Sequence, residues 1–285
     1  MRKLNKNDCG ETISLDEMKS HLLDMLISLS DFCEKNGIRY YLSGGTLLGA
    51  IRHHGFIPWD DDIDINIPRP DCEKLQKLSN GRIGKYILLP PSGKGLYPAV
   101  HWKLCDTSYI IENSLGGSSS KLEYHPLFLD IFAIEGLPST AEETKKHFNR
   151  MFLSKKMFNS LGGSWFHGKT IASRCFHLIS RPIAAAFGRQ YWVDRIQKVA
   201  TSIKFDSSDY IGVMVTNIHT TEERVKKAEY IPQIEVLFEG HKFKAPQGYD
   251  TYLRQLYGND YMELPPPEKR VSHHGFTVYK RIKKS

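Results

Sequence analysis

The first half of the chain alternates between helix-like and strand-like spacing of its apolar residues. Between residues 14 and 36 the apolar positions have the period of an amphipathic helix, namely Leu15, Met18, Leu22, Met25, Leu26, Leu29 and Cys33. Ser14 and Glu17 fit a capping box at its start, and Gly37 is a natural stop. The β-branched and aromatic segment 38–42 predicts a strand, and a glycine pair then leads into a short helix over 46–53.

The later pattern predicts more strands and then a run of helices. Residues 59–67 alternate Asp and Ile, which is the two-residue period of a strand. A helix over 71–79 and a helix over 249–257 are predicted, with further strands at 86–89, 99–104, 108–111 and 127–134. Residues 141–204 are helical in pattern. We therefore expect an α/β (α+β) fold with a catalytic core over 1–140, a helical insertion over 141–204 and a C-terminal segment, 205–285, that completes the core and the active site.

Composition and charge narrow the class of protein. No apolar run reaches the roughly 18 residues of a membrane span, and the N-terminus has no apolar signal core. The five cysteines are far apart and form no CxxC pair, which favours a reducing cytoplasm. Residues 145–204 hold twelve Lys or Arg and one acidic residue, so the net charge of +7 is concentrated there. This basic patch, interleaved with aromatic residues, predicts a polyanionic partner, and an anionic membrane surface is the one we favour. An ordinary helical subdomain with a solvated basic face is the alternative.

Carboxylates are concentrated at Asp60, Asp61, Asp62 and Asp64. On a strand, Asp60, Asp62 and Asp64 would share one face, with isoleucines holding the other face in the core. A row of like charges is costly unless a cation neutralises it, and Mg²⁺ or Mn²⁺ is the natural oxygen-ligated partner. A solvated acidic turn is the alternative. A calcium loop is disfavoured because the EF-hand spacing is absent.

A glycine turn precedes the carboxylates. Ser43, Gly44, Gly45 and Thr46 stand between the strand and the helix, where backbone amides can meet a phosphate. A Gly-Gly turn followed by Asp-x-Asp on the next strand is the pattern of DNA-polymerase-β-like nucleotidyltransferases. That superfamily has a third carboxylate on a later strand, and Asp130 lies within an apolar run. A structural carboxylate is the alternative for Asp130.

The chain resembles a narrower family in three places. The run 44–64 looks like the signature of LicD-type phosphocholine transferases, with a looser version in fukutin-related ribitol-phosphate transferases. Residues 128–132 match the middle motif, and 257–270, followed by His273, look like the closing motif. The family usually reads YGT where this chain reads Ser43-Gly44-Gly45-Thr46.

The resemblance implies a metal-dependent nucleotidyltransferase-type core. By it, Asp62 and Asp64 match the metal-binding pair, and Asp130 is the third carboxylate, as a metal ligand or a general base. The implied reaction moves phosphocholine from CDP-choline to a sugar hydroxyl of teichoic acid, lipopolysaccharide or a capsule precursor, and releases CMP. A lipid-linked acceptor would place the protein at the inner face of the cytoplasmic membrane.

Basic residues near the motifs are candidates to bind the donor's phosphates. They are Arg52, Lys103, Arg270 and His273. Transfer of ribitol-, glycerol- or sugar-phosphate is an alternative reaction. An RNA nucleotidyltransferase and an inactive glycan-binding module are further alternatives, although no RRM, KH or zinc-finger pattern is present and we expect no nucleic-acid partner.

Overall fold

A computed structural model gives the fold. It describes residues 4–114, 122–162, 171–215, 220–272 and 275–282. The predicted phosphate ligand His273 lies outside these ranges.

Seven α-helices occur in the described parts of the chain. They are α1 (Leu15–Lys35), α2 (Gly44–His53), α3 (Arg69–Ser79), α4 (Ala141–Ser160), α5 (Ile171–Ala200), α6 (Lys227–Tyr230) and α7 (Tyr249–Tyr257). Ser14 caps α1 by accepting a hydrogen bond from the Glu17 amide at 3.1 Å, as the sequence predicts. Gly188 interrupts α5 with a left-handed φ of 79°, so α5 is two helical pieces joined at a kink.

Twelve β-strands accompany the helices in the same parts of the chain. They are β1 (Cys9–Thr12), β2 (Tyr41–Leu42), β3 (Asp64–Pro68), β4 (Arg82–Ile83), β5 (Tyr86–Leu89), β6 (Trp102–Ser114), β7 (Leu122–Leu137), β8 (Tyr210–Val213), β9 (Val225–Lys226), β10 (Gln233–Phe238), β11 (His241–Pro246) and β12 (Thr277–Arg281).

Ten of the strands form one mixed sheet. Its main path runs β1-β12-β6-β7-β3-β2, with β5 also on β6 and β8 also on β7, while β10 and β11 form a separate hairpin. Every pair is antiparallel except β3 with β7, which are parallel. The parallel pair brings the start of β3 beside the middle of β7. The expected mixed α/β fold is confirmed at this level.

The core lies between the sheet and the helices packed on it. From the sequence, the apolar face of α1 is expected to be buried, and Leu22, Met25 and Leu26 are fully buried. Ile63, Ile65 and Ile67 are fully buried as well, so the isoleucines between and after the aspartates hold β3 in the core. A second cluster joins α4 and α5 to β7 and β8, which attaches the helical segment to the sheet edge.

Several predicted strands have different bounds in the structure. The strand expected over 59–67 exists only from Asp64 onward, because adjacent carboxylates repel and have low strand propensity. The strands expected at 99–104 and 108–111 are one strand, β6, with an irregularity between Asp106 and Ile110. Among the described helices, none is both long enough and apolar enough to cross a bilayer.

Candidate active site

The glycine turn joins β2 to α2 and is bonded to the start of β3. The Ser43 amide donates to the Asp64 carbonyl at 3.1 Å, and the Asp64 amide donates to Thr46 Oγ1 at 2.9 Å. Ser43 occupies the N-cap position of α2, and its hydroxyl pairs with the Tyr252 hydroxyl at 3.2 Å. Backbone amides at the start of a helix lack intrahelical partners, so those at the start of α2 can donate hydrogen bonds to an anionic group.

The two glycines lie against carboxylates. An ideal Cβ on Gly44 would be 3.3 Å from Oδ2 of Asp64, and Gly44 also has a left-handed φ of 50°. An ideal Cβ on Gly45 would be only 2.7 Å from Oδ2 of Asp60. Glycine is therefore needed at both positions for the backbone to approach the carboxylates this closely.

Three consecutive aspartates converge just before β3. Asp60, Asp61 and Asp62 each offer an oxygen within 4.8 Å of the other two. Asp60 and Asp61 are buried, at 7% and 4% exposure, and the hydroxyl of Ser272 donates to Asp61. The strand that was predicted to carry Asp60, Asp62 and Asp64 in one row begins only at Asp64, and residues 60–63 have no regular secondary structure.

Asp64 and Asp130 are neighbours across the parallel strand pair. They are register partners of β3 and β7, and the Asp130 amide donates to the Ile63 carbonyl at 3.0 Å. Burial, then the negative charges of Asp62, Asp130 and Asp60, raise the pKa of Asp64 well above its ordinary value. Four carboxylates thus act on one another where the two strands meet. A cation placed among them would relieve that repulsion.

Asp130 is held by two basic groups. Lys103 forms an ion pair with Oδ1 of Asp130, and Nε2 of His101 lies 3.0 Å from the same oxygen. Burial raises the pKa of Asp130, but the Lys103 ammonium and His101 outweigh it and hold that pKa well below its ordinary range. Lys103 is itself 3% exposed, and its ammonium lies 3.5 Å from the ring centre of Phe128.

The other predicted phosphate ligands contact the C-terminal segment. Arg52 donates to the carbonyls of Tyr261 and Glu263 at 2.8 and 3.0 Å. Arg270 donates to the Pro265 carbonyl at 2.7 Å, and its guanidinium lies 5.9 Å from the ring centre of Trp59. These bonds hold the segment after α7 next to the carboxylates. A phosphate-binding role for Arg52, Lys103 and Arg270 stays a prediction.

Tyr257 belongs to the site although sequence reasoning did not single it out. Its hydroxyl would lie 3.7 Å from a Cβ on Gly44, on the same side as Asp64. The ring is partly exposed, but burial of its hydroxyl end and the charges of Asp64 and Asp60 raise the pKa of Tyr257 above its ordinary value. Tyr257 therefore stays protonated and can donate a hydrogen bond.

A buried polar network under the glycine turn was also missed. The Tyr252 hydroxyl lies 3.4 Å from both Asn66 Nδ2 and Glu223 Oε2, and Asn66 Nδ2 donates to Tyr230 at 3.1 Å. Burial raises the pKa of Glu223 to about 8. The members come from β3, α6, α7 and a short 3₁₀ turn, so no local motif could have revealed them.

Comparison with known proteins identifies a family domain within the chain. Residues 37–173 match the family model described as LicD/FKTN/FKRP, nucleotidyltransferase domain. The chain is similar to the lipopolysaccharide cholinephosphotransferase LicD of Haemophilus influenzae, with 28% identity over 92% of this chain and 96% of that protein.

Two further relatives match over shorter stretches. The ribitol 5-phosphate transferase FKRP of Homo sapiens is 47% identical over 53 residues, which is 18% of this chain and 11% of that protein. Mannosyltransferase regulator 4 of Saccharomyces cerevisiae is 30% identical over 47% of this chain and 11% of its own length. Residues 37–173, which match the family model, contain the glycine turn, the converging aspartates and Asp130, so this part of the chain is a LicD-family domain.

Proposed function

We propose that this protein transfers phosphocholine from CDP-choline to a sugar hydroxyl of a cell-surface glycan and releases CMP. The observation that carries the proposal is the meeting of the glycine turn with the carboxylates of Asp60, Asp62, Asp64 and Asp130. The family supports transfer of a substituted phosphate to glycans, and the name of the Haemophilus relative supports choline as the head group.

The carboxylates suit a hard divalent cation, Mg²⁺ or Mn²⁺. Oxygens of Asp60, Asp61 and Asp62 lie within 4.8 Å of one another, and burial together with these acidic neighbours raises the pKa of Asp64. We propose Asp62 and Asp64 as the principal ligands. Such an ion would neutralise charge on the donor's pyrophosphate. The arrangement supports a nucleotidyltransferase-type core, which the sequence also predicts.

The chain's own groups position the donor. The amides of Gly44 and Gly45 at the start of α2 can bind a phosphate oxygen, while Thr46 Oγ1 keeps the turn on β3. A bond forms between the acceptor oxygen and the choline-bearing phosphorus as the bond to the CMP oxygen breaks, and the proton of the acceptor hydroxyl is released to solvent. The hydroxyl of Tyr257 stands on the same side and can donate to a phosphate oxygen.

The sequence is compatible with Asp130 as a metal ligand or as a general base, and its surroundings favour the role of metal ligand. Because Lys103 and His101 hold its pKa below the ordinary range, Asp130 is a weak base for the acceptor's proton. An ionised carboxylate is a good ligand for a hard cation. We therefore propose that Asp130 completes the ligand set rather than acting as the general base.

The donor head group is the open part of the reaction, and ribitol phosphate is the competing choice. The 53-residue match to human FKRP favours it, since that stretch is more alike than the whole chain is to the Haemophilus protein. We place the reaction in the cytoplasm, on a lipid-linked precursor of teichoic acid, lipopolysaccharide or capsule at the inner membrane face.

Release of CMP by the purified protein tests the proposal. CDP-choline, CDP-ribitol, CDP-glycerol and CDP-ethanolamine are compared with Mg²⁺, with EDTA, and with or without a glycan acceptor mixture. We expect metal-dependent, acceptor-stimulated release from CDP-choline alone. Asp62→Asn is the inactive variant and Asp194→Asn, an exposed aspartate of α5, is its matched control. Release from CDP-ribitol but not CDP-choline would overturn the choline assignment and keep the mechanism.

A further inference from the structure

The helical pair α4 and α5 exposes large apolar side chains to solvent. Seven of them are exposed, namely Phe152, Leu153, Leu178, Ile179, Ile183, Phe187 and Tyr191. Ile179 is 68% exposed and Phe187 is 56% exposed. Single exposed apolar residues need no explanation, but a group of them within two helices marks a surface that binds something.

The exposed residues of α5 form a stripe. Ile179, Ile183 and Phe187 recur every four residues and so lie on one side of the helix. The adjoining stripe, Ser180 and Ala184, is buried. This part of α5 therefore packs through small side chains and turns its large ones outward, which is the reverse of an ordinary core helix. We call Ile179, Ile183 and Phe187 the apolar stripe.

The end of the stripe is rigidly supported. Phe187 stacks on Tyr191 with ring centres 4.7 Å apart and meets Trp192 edge-on at 5.7 Å. Trp192 is buried and donates its indole N–H to the Ala184 carbonyl at 3.1 Å. The Gly188 kink lies between Phe187 and the other two rings. Phe187 is thus presented outward by packed residues rather than by a loose loop.

Exposed basic groups lie on the same two helices as the stripe. Lys145, Lys146, Arg150, Lys156, Arg195 and Lys198 are exposed on the same two helices. The Lys156 ammonium lies 4.3 Å from the ring centre of the exposed Phe152, so a charge and an apolar surface stand together. Arg150, Arg195 and Lys198 also line a cavity of about 570 Å³ with Tyr191, and Asp194 is the one acidic residue there.

We propose that the apolar stripe and the exposed basic residues of α4 and α5 dock the protein on an anionic lipid bilayer. Aliphatic side chains enter the acyl boundary while Lys and Arg meet the headgroups, and both are present here on one helical pair. A nucleic acid would use the cations and the aromatic rings but would leave Ile179 and Ile183 against phosphates and water. Membrane docking would not depend on the nucleotide donor, so it can be tested independently of the proposed reaction.

Vesicle co-sedimentation of the full chain tests the docking. One set of vesicles contains phosphatidylcholine alone, and the other contains equal parts of phosphatidylcholine and phosphatidylglycerol. We expect binding to the anionic vesicles at least ~10-fold above the neutral ones, weakening as salt is raised. The variant Ile179→Gln/Ile183→Gln/Phe187→Gln keeps helix-forming residues and should lose binding by ~10-fold or more.

Matched variants separate docking from general stickiness and from folding. Leu237→Gln removes an apolar residue of similar exposure, 50%, from β10 and should bind like the wild type. The stripe variant should keep its melting temperature and its CMP release from soluble donor. Equal binding to neutral and anionic vesicles, or full binding by the folded stripe variant, would overturn the proposal. Salt-sensitive binding of RNA with no vesicle binding would overturn it as well, in favour of a nucleic-acid surface.

Discussion

Replacing Gly45 with alanine separates catalytic geometry from fold stability. The new methyl group would stand 2.7 Å from Oδ2 of Asp60, whereas ordinary contacts begin at 3.4 Å. The carboxylate of Asp60 must therefore move by about 0.7 Å, the difference between these two distances. The contacting atom, Oδ2, is at the end of the Asp60 side chain, so the backbone need not move with it.

The size of the effect follows from that displacement. A misplacement of about 1 Å near reacting groups can cost ~100-fold in rate, so we expect Gly45→Ala to lower kcat by ~10- to 100-fold. The unfolding free energy should change little, because alanine is favoured over glycine in a helix by ~1 kcal/mol and this gain offsets the displaced carboxylate. Gly45 lies in the first turn of α2.

The assay is CMP release beside urea unfolding of the same preparations. Gly162→Ala is the control, since among the described residues its added methyl group would meet the Asn159 carbonyl alone, at an ordinary 3.5 Å. A stable Gly45→Ala protein with wild-type kcat would refute the idea that the position of Asp60 matters for turnover. A variant that loses several kcal/mol of stability would show instead that the turn is a folding requirement.

Three more perturbations have definite expected outcomes. Burial raises the pKa of Glu223 from 4.5 to about 8, so between these pH values the folded state keeps a proton that the unfolded state releases. The free energy of unfolding should therefore fall as the pH rises through this range, by at most ~1.4 kcal/mol per pH unit. Urea titrations of Glu223→Gln should show a flatter dependence on pH. Lys103→Met leaves the Asp130 carboxylate without its buried partner and should cost ~3–5 kcal/mol, most of which Lys103→Met/Asp130→Asn should restore; an additive double variant would contradict the pairing. EDTA should abolish CMP release and Mn²⁺ should restore it, while activity that survives thorough chelation would remove the metal from the mechanism.

Local sequence predicted the elements whose signals are local. Ser14 caps α1 as its spacing indicates, and the bounds of β5 and α7 match the predicted ones. The hairpin of β10 and β11 was not predicted, because its turn is Glu239-Gly240, both with positive φ, and glutamate is not a residue that usually signals such a turn. β12 was missed since five residues near the end gain their strand character from pairing with β6.

In the candidate active site too, the features with local sequence signals could be predicted, and those that depend on distant contacts could not. The glycine turn and the neighbouring aspartates are contiguous in sequence, so their chemistry could be predicted from spacing. The convergence of Asp60, Asp61 and Asp62 could not be predicted, because groups distant in sequence lie against it: Gly45 beside Asp60 and Ser272 on Asp61. The partnership of Lys103 with Asp130 needs the β6–β7 register, which no sequence pattern gives. The division of the chain into a core over 1–140, a helical insertion over 141–204 and a C-terminal segment over 205–285 stays a prediction.

Transfer of the head group itself tests the central claim most directly. CDP-choline labelled in its methyl groups is incubated with Mg²⁺, a glycan acceptor and either wild-type protein or Asp64→Asn, whose folding is checked by its melting temperature. We predict label on the glycan with the wild type and none with the folded Asp64→Asn protein. Label transferred equally by both proteins would contradict the carboxylate-centred mechanism, and an unlabelled glycan with the wild type would contradict phosphocholine as the transferred group.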